Sequence, residues 1–215
     1  MSDQSWTEYL PSLLQGAVLT IVVTFIAMIG GTVIGFILAM MKMSSSMFLQ
    51  GSAAVYGTFI RGLPLLVQVL LVYFALPMLT GIRMPAMVAG TVSMTLFTGA
   101  FMAEIIRSGI QSVDRGQMEA GRSIGFGHWQ TMRLIIWPQA IWVMLPNIAN
   151  QFSITLKDTS LLSVIGVVEL TMAGQTIYSM NFDTIRVLAM VGVIYMAIYL
   201  VAERFTAWME RRISR

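Results

Sequence analysis

Apolar runs long enough to cross a bilayer alternate with short polar stretches along the chain. A membrane-spanning helix needs roughly 20 apolar residues. Five segments reach that length, at about 14–41, 53–79, 86–108, within 138–163, and at 184–207. Two further apolar pieces, around 164–168 and 170–180, are too short to cross and predict short helices or a re-entrant segment. The pattern predicts an all-α integral membrane protein with five transmembrane helices, forming one domain over residues 1–215. Trp6 and Tyr9 stand ahead of the first span, as in an aromatic interfacial belt. No Lys or Arg precedes that run, and it carries no charge before Lys42, so it reads as a retained span and not as a signal peptide.

Composition sharpens this picture. The 215 residues are 57% hydrophobic and 11% charged, with mean hydropathy +0.78. Ordinary soluble domains carry about 25% charged residues, so that class is excluded. The chain has no cysteine, which removes disulfides, thiol catalysis and Cys-based metal sites, and its single histidine leaves little for a metal. Neither a catalytic residue nor a metal site is expected. The 19 methionines are scattered, as packing or lipid-facing residues are. No internal repeat is visible, which weighs against secondary transporters built from related halves.

The net charge of +3 is small, and the bases lie near span ends without the clustering that nucleic acid requires. One set of ends holds Lys42, the 107–133 connection with Arg107, Arg115, Arg122 and Arg133, and the tail with Arg204, Arg211, Arg212 and Arg215. The other holds Arg83 and Arg186. Basic loops stay in the cytoplasm, so the N-terminus is expected outside and the C-terminus inside. Arg211 and Arg212 suit an anchor on anionic membrane lipid. Arg61 can snorkel to the interface, and Gly62 and Pro64 in "RGLP" favour a bend over a gate.

The one large cytoplasmic loop, about 109–137, is also the most polar part of the chain. Asp114 is a good N-cap, with Gln117 three residues on. About three turns can follow from Arg115 to Ile124, stopped by Gly125 where a left-handed residue is easy. A second helix is expected after Gly127, from His128 or Trp129 toward Pro138, with His128 a loop residue and not a ligand. Arg122, Phe126 and Trp129 are a mix suited to docking into a groove on another protein; a connector lying on lipid headgroups is the plainer alternative.

The stretch "EAGRSIGFGHWQTMRLIIWP" resembles the EAA loop of permease subunits of bacterial ATP-binding-cassette importers. Glu119, Ala120, Gly125, Ile135 and Pro138 fall in register with that motif; Gly121 stands where it has Ala, and Trp137 where it has Leu. The segments "IRGLPLLVQVLLVYFALP", "AEIIRSGIQSVDRGQ", "LPNIANQF" and "KDTSLLSVIGVVEL" are similar to the permeases for polar amino acids, the subfamily of glutamine, glutamate/aspartate, arginine and histidine importers. The resemblance implies that residues 115–137 couple to an ATPase, with Glu119, Ala120, Gly121, Arg122, Gly125, Trp129 and Pro138 in the contact. The chain itself lacks a phosphate-binding loop: its only lysines, in "MMKMSS" and "ITLKDTS", have no glycine-rich context. No cofactor is expected on this chain, with ATP and magnesium on the partner. The implied partners are an ATPase dimer, a second permease copy or a sister permease, an extracytoplasmic solute-binding protein, and a polar amino acid.

Ionisable groups inside membranes are costly and usually functional. Glu104, Lys157 and Asp158 stand out, and Asn147, Asn150, Gln151, Lys157 and Asp158 share about a 120° sector of a continuous helix. A zwitterionic amino acid needs acceptors for its ammonium and donors for its carboxylate, which Glu104 or Asp158, and Lys157 or the amides Asn147 and Gln151, can supply. Alternatively, Lys157 neutralises Asp158 or Glu104 and pins helices, with Arg107 one turn from Glu104 offering the same. Resemblance to the amino-acid permeases favours substrate contact at Glu104, Lys157 and Asp158, while Phe97, where many relatives have Asn, leaves side-chain selectivity open. The readings that compete with an importer permease are a stand-alone ion-coupled carrier using Glu104 and Asp158, and an intramembrane enzyme, for which no nucleophile–base or paired-acid cluster appears.

Overall fold

The computed structural model describes residues 6–213. Asp3 and Arg215 lie outside the described residues, as do the side chains of Trp6, Arg211 and Arg212. Eight helices follow one another: α1 Trp6–Met43, α2 Met47–Gly62, α3 Leu65–Thr80, α4 Ala86–Gln111, α5 Arg115–Ser123, α6 His128–Ile165, α7 Leu170–Asn181 and α8 Thr184–Ile213. No strand occurs among the described residues. Three helical stretches, Glu8–Met43, Ala86–Gln111 and Thr184–Trp208, are long and apolar enough to cross a membrane alone. The pairs α2–α3 and α6–α7 bring the number to five only if each bent pair counts as one span.

Glycines set the centre of the bundle. Apolar side chains gain little by leaving lipid for one another, so membrane helices associate through small residues that let backbones approach. On α1, Gly31 and Gly35 meet α4 so closely that an added Cβ would lie 2.7 Å from Thr98 Cγ2 and 2.5 Å from Met102 Cβ respectively. Gly99 of α4 returns the fit against Ile34. The two helices run parallel, as expected for first and third spans.

The apolar run read as a second span is not one straight helix. Leu63 adopts an extended conformation (φ −107°, ψ 139°) before Pro64, and α2 and α3 meet at 103°. Proline disfavours helix in the residue before it and removes a backbone donor. The buried Gln68 side chain supplies donors to carbonyls freed at the break, Ile60 O at 2.7 Å and Leu63 O at 3.0 Å. The expected bend at "RGLP" is therefore a full corner.

Two wider π turns, Leu71–Ala75 in α3 and Met132–Ile136 in α6, each end two residues before a proline, Pro77 and Pro138. A proline ring crowds the preceding turn and lacks the amide that would tie it down; a π turn accommodates the mismatch within a continuous helix.

The fourth span is longer and more broken than the sequence suggests. α6 starts at His128, tightens into 3-10 geometry over Thr159–Ile165, and stops at Gly166 in the left-handed region (φ 82°). α7 then leaves at 47°. The short apolar pieces at 164–168 and 170–180 thus form the end of one helix, a turn and a short helix. At the start of α7, Glu169 is fully buried. Its carboxylate accepts from Thr171 N (3.0 Å), Met172 N (2.8 Å) and the Tyr195 hydroxyl of α8 (2.8 Å). Thr20 of α1 accepts from Leu170 N at 3.2 Å, so α7 is tied to both α1 and α8.

Candidate functional site: a polar hairpin and two charged groups in the bundle

The 109–137 stretch folds as a helical hairpin. Asp114 Oδ1 accepts from Gly116 N at 2.7 Å, capping α5. The far end closes by Phe126 N donating to Gly121 O (3.1 Å) and Gly125 N to Arg122 O (3.0 Å), with Gly125 at φ 90°. This is the six-to-one and five-to-two bond pair of a Schellman ending, which needs a left-handed residue at Gly125. Gln130 Oε1 then accepts from Gly127 N at 3.0 Å to begin α6.

Gly121 is buried at the crossing of α5 and α6. A Cβ there would stand 2.5 Å from Thr131 Cγ2 and 2.8 Å from its Oγ1. The glycine that departs from the EAA pattern is thus a point of close approach between α5 and α6. Met118, Met132 and Ile136 face inward, with Met132 and Ile136 in the core formed by α1, α4 and α6. Glu119, Ala120, Arg122, Ile124 and Trp129 point out; Trp129 is 78% exposed. Phe126 is half-buried, against the expectation of an exposed docking residue. Pro138 is exposed two residues beyond the π turn.

Among the described residues, the charged groups singled out from the sequence fall into two sets with no ion pair between them. Glu104 of α4 is gripped by three cations. Its Oε1 meets Lys42 Nζ at 2.5 Å and Arg61 Nη2 at 3.0 Å, and its Oε2 meets Arg107 Nε at 3.0 Å. Arg61, 35% exposed, turns its head group onto the carboxylate and donates from Nε to Gly57 O at 3.1 Å. The Arg107–Glu104 pair, legible from the one-turn spacing, is present.

The second set lies on α6. Lys157 makes no ion pair within 4 Å among the described residues and sits 5.4 Å above the Tyr199 ring. The alternative in which it neutralises Glu104 is not what the geometry contains. Asp158 is half-buried beside it. Gln151 is buried and donates to Thr155 Oγ1 at 3.3 Å, which in turn lies 3.4 Å from Thr98 Oγ1 on α4. Asn147, Asn150 and Lys157 are exposed. The polar stripe thus straddles the edge of the packed face, with part of it open on a side this chain does not cover.

Glu169 was not among the intramembrane charges singled out from sequence. Its signal was an acid inside the apolar run "SVIGVVEL", at the start of a piece too short to span.

The fold defines an all-helical membrane-protein class, with three helices long enough to span, or five if each bent pair is one span, and a polar hairpin between two of them. The binding-protein-dependent transport system inner membrane component family matches residues 31–215. The chain is 38% identical over 206 residues to the glutamine transport system permease protein GlnP of Escherichia coli K12, covering 95% of this chain and 94% of that one. It is 37% identical over 205 residues to the probable amino-acid ABC transporter permease protein YckA of Bacillus subtilis 168, covering 95% and 90%. A crystal structure of an amino acid ABC transporter with histidines superposes with a TM-score of 0.92 at 38% identity, covering 99% of both chains. The chain belongs to the family of binding-protein-dependent ABC permeases, as a multi-pass inner-membrane transport subunit of the amino-acid type.

Proposed function

We propose that this permease takes up a polar amino acid of the glutamine, glutamate/aspartate, arginine or histidine class by alternating access, driven by a separate ATPase. The observation that carries the reading is the hairpin at 115–137. It is rigid inside, through the Gly121–Thr131 crossing and the ending at Gly125, and presents Glu119, Arg122, Ile124 and Trp129 outward. A stiff lever with an apolar and charged outer face suits docking into a partner's groove, and its direct run through the π turn into α6 suits transmission of movement.

In this reading α2–α3 and α6–α7 are each one span, which puts the N-terminus outside, the C-terminus in the cytoplasm and the hairpin on the ATPase side. ATP and magnesium belong to the partner. The open stripe of Asn147, Asn150 and Lys157 faces a second permease, either another copy or a sister chain, and an extracytoplasmic solute-binding protein delivers the amino acid to the space between them. Glu104, Lys157, Asp158, Gln151 and Asn147 are the proposed contacts of the amino acid. The test is gentle-detergent purification of tagged chain from its native host with mass spectrometry of what remains bound, alongside a variant altered at Glu119 and Gly125. Retention of an ABC ATPase by the native chain and its loss with the variant is the expected result; a native chain that purifies alone overturns the reading.

A further inference from the structure

The bundle carries an apolar groove that the transport reading does not use. Near the start of α8, Val187 and Val191 pack with Leu13 and Ala17 of α1 and with α7, where a Cβ on Gly174 would lie 2.6 Å from Val191 Cγ2. Further along, α1 and α8 no longer close on each other. Residues 21–33 of α1, 145–152 of α6 and 198–206 of α8 line a groove of about 750 Å³. Within it Phe25 meets Phe152 edge to face at 5.3 Å. Ile29 is 66% and Val201 71% exposed, so the groove opens sideways out of the bundle. No charged side chain lines it. Its two hydroxyls are spent on their own helices: Thr32 donates to Met28 O at 2.6 Å and Thr206 to Ala202 O at 2.9 Å.

Water and polar solutes find too few hydrogen-bond partners in such a groove, and a void would forfeit dispersion contacts along its lining. Its occupant is therefore apolar. On α6 the groove residues Leu145, Ile148, Ala149 and Phe152 lie about 160° around the helix from Asn147, Asn150 and Lys157. The groove thus faces away from the open polar stripe and from the second permease proposed to meet that stripe. A helix about 10 Å across would need roughly 1,400 Å³ along the ~18 Å that residues 21–33 of α1 cover. That is more than the groove holds, whereas a single hydrocarbon chain is narrow enough. Charge selects the lipid that supplies the chain. Trp208 stacks on Phe205 of the groove at 5.9 Å, and Trp142 and Trp208 are half-exposed, as tryptophans at a membrane–water boundary are. Arg204 is exposed beside the lining residues of α8, and residues 203–215 carry four arginines against two glutamates, a net charge of +2 (4 − 2). We infer that the groove between α1, α6 and α8 is a binding site for an anionic phospholipid, one acyl chain lying in the groove and the phosphate headgroup at the basic C-terminal end of α8. In the orientation proposed above, that end meets the cytoplasmic leaflet. The seated chain bridges α1 and α8 across the gap between them. The inference goes beyond the transport reading and is independent of which solute is carried.

The test uses the permease with its co-purified ATPase in phosphatidylcholine nanodiscs that contain a small share of phosphatidylglycerol bearing a photoreactive acyl chain. Labelled positions are read by mass spectrometry, and the same photoreactive chain on phosphatidylcholine is the control. Label from phosphatidylglycerol is expected to concentrate on Phe25, Ile29, Phe152 and Phe205 over Val18 and Val193, which are as exposed but lie outside the groove. It should exceed label from phosphatidylcholine at the groove by at least about fivefold, the effect of one basic residue near an anionic headgroup. Ala202→Phe fills the groove and should cut its label severalfold while label at Val193 holds; Arg204→Gln should narrow the preference for phosphatidylglycerol. Thermal unfolding confirms that each variant is folded, and the comparison of the two lipids on the native complex stands without them. Label spread evenly over all exposed apolar residues overturns the site, and equal labelling by the two lipids overturns its anionic ligand. A cross-link between two permeases through the thiol introduced by Ala202→Cys, in a chain without other cysteines, shows the groove covered by a second copy and overturns the inference as well.

Discussion

Gly121→Ala pits helix propensity against packing at one atom. Alanine in place of glycine stabilises an exposed helix by about 1 kcal/mol. Gly121, however, is buried, and its new Cβ would stand 2.5 Å from Thr131 Cγ2, 2.8 Å from Thr131 Oγ1 and 3.1 Å from Ile135 Cδ1. Thr131 is itself fully buried and held by its hydroxyl on Gly127 O at 3.1 Å, so it has little room to turn. Overpacking of this kind costs about 1–3 kcal/mol, which outweighs the propensity gain and leaves the hairpin looser by about 1 kcal/mol or somewhat more. Trypsin cleavage after Arg122, under conditions where opening is fast, reads the population of the opened hairpin. A loss of that size makes cleavage of the variant roughly five- to thirtyfold faster. Thr131→Ala removes the two closest contacts, so the double variant should recover most of the loss, with a coupling of about 1 kcal/mol or more in the cycle. Cleavage of Gly121→Ala at or below the native rate would refute the close-approach explanation and return Gly121 to a neutral departure from the motif.

Other sites yield sharper losses. Glu169→Ala leaves two part-buried amides without their acceptor and the Tyr195 hydroxyl with Thr171 Oγ1 alone, and should lower stability by about 1–3 kcal/mol, seen as a fall in the melting temperature of the purified complex. Gln68→Leu keeps the volume but strips the donors from Ile60 O and Leu63 O at the α2–α3 corner; a cost of about 1–3 kcal/mol is expected in the same assay, and an unchanged melt would show that the corner needs no internal donor. Gly35→Val forces α1 away from Met102 and Ala103 and should reduce folded protein recovered from membranes severalfold, whereas Gly51→Val, on open surface, should not.

How much of this was legible in the sequence depended on the range of the interaction. The hairpin could be read closely because its signals are local: Asp114 caps within two residues, and Gly125 ends the helix through bonds to Gly121 and Arg122. Span lengths were legible for α1, α4 and α8, where apolar runs are unbroken. The corner at Leu63–Pro64 was visible only as a bend, because its angle depends on Gln68 satisfying carbonyls that hydropathy does not register. Among the ion pairs to Glu104, the Arg107 pair alone had a helical spacing to reveal it. Lys42 lies 62 residues from Glu104 in sequence, so its place on that carboxylate was set by the glycine contacts that bring α1 against α4. Glu169 looked like a polar interruption in an apolar run; its role as a buried cap came from Tyr195, a helix away.

The most direct measurement is uptake into proteoliposomes holding the purified permease with its co-purified ATPase, supplied with the cognate solute-binding protein and a labelled polar amino acid, with ATP enclosed on the ATPase side or omitted. Accumulation that requires ATP, and that disappears when Glu119 and Gly125 are altered while the complex stays folded, is the expected result. Accumulation by the permease without ATP, driven by a proton or sodium gradient, would contradict it and make the chain a carrier in its own right.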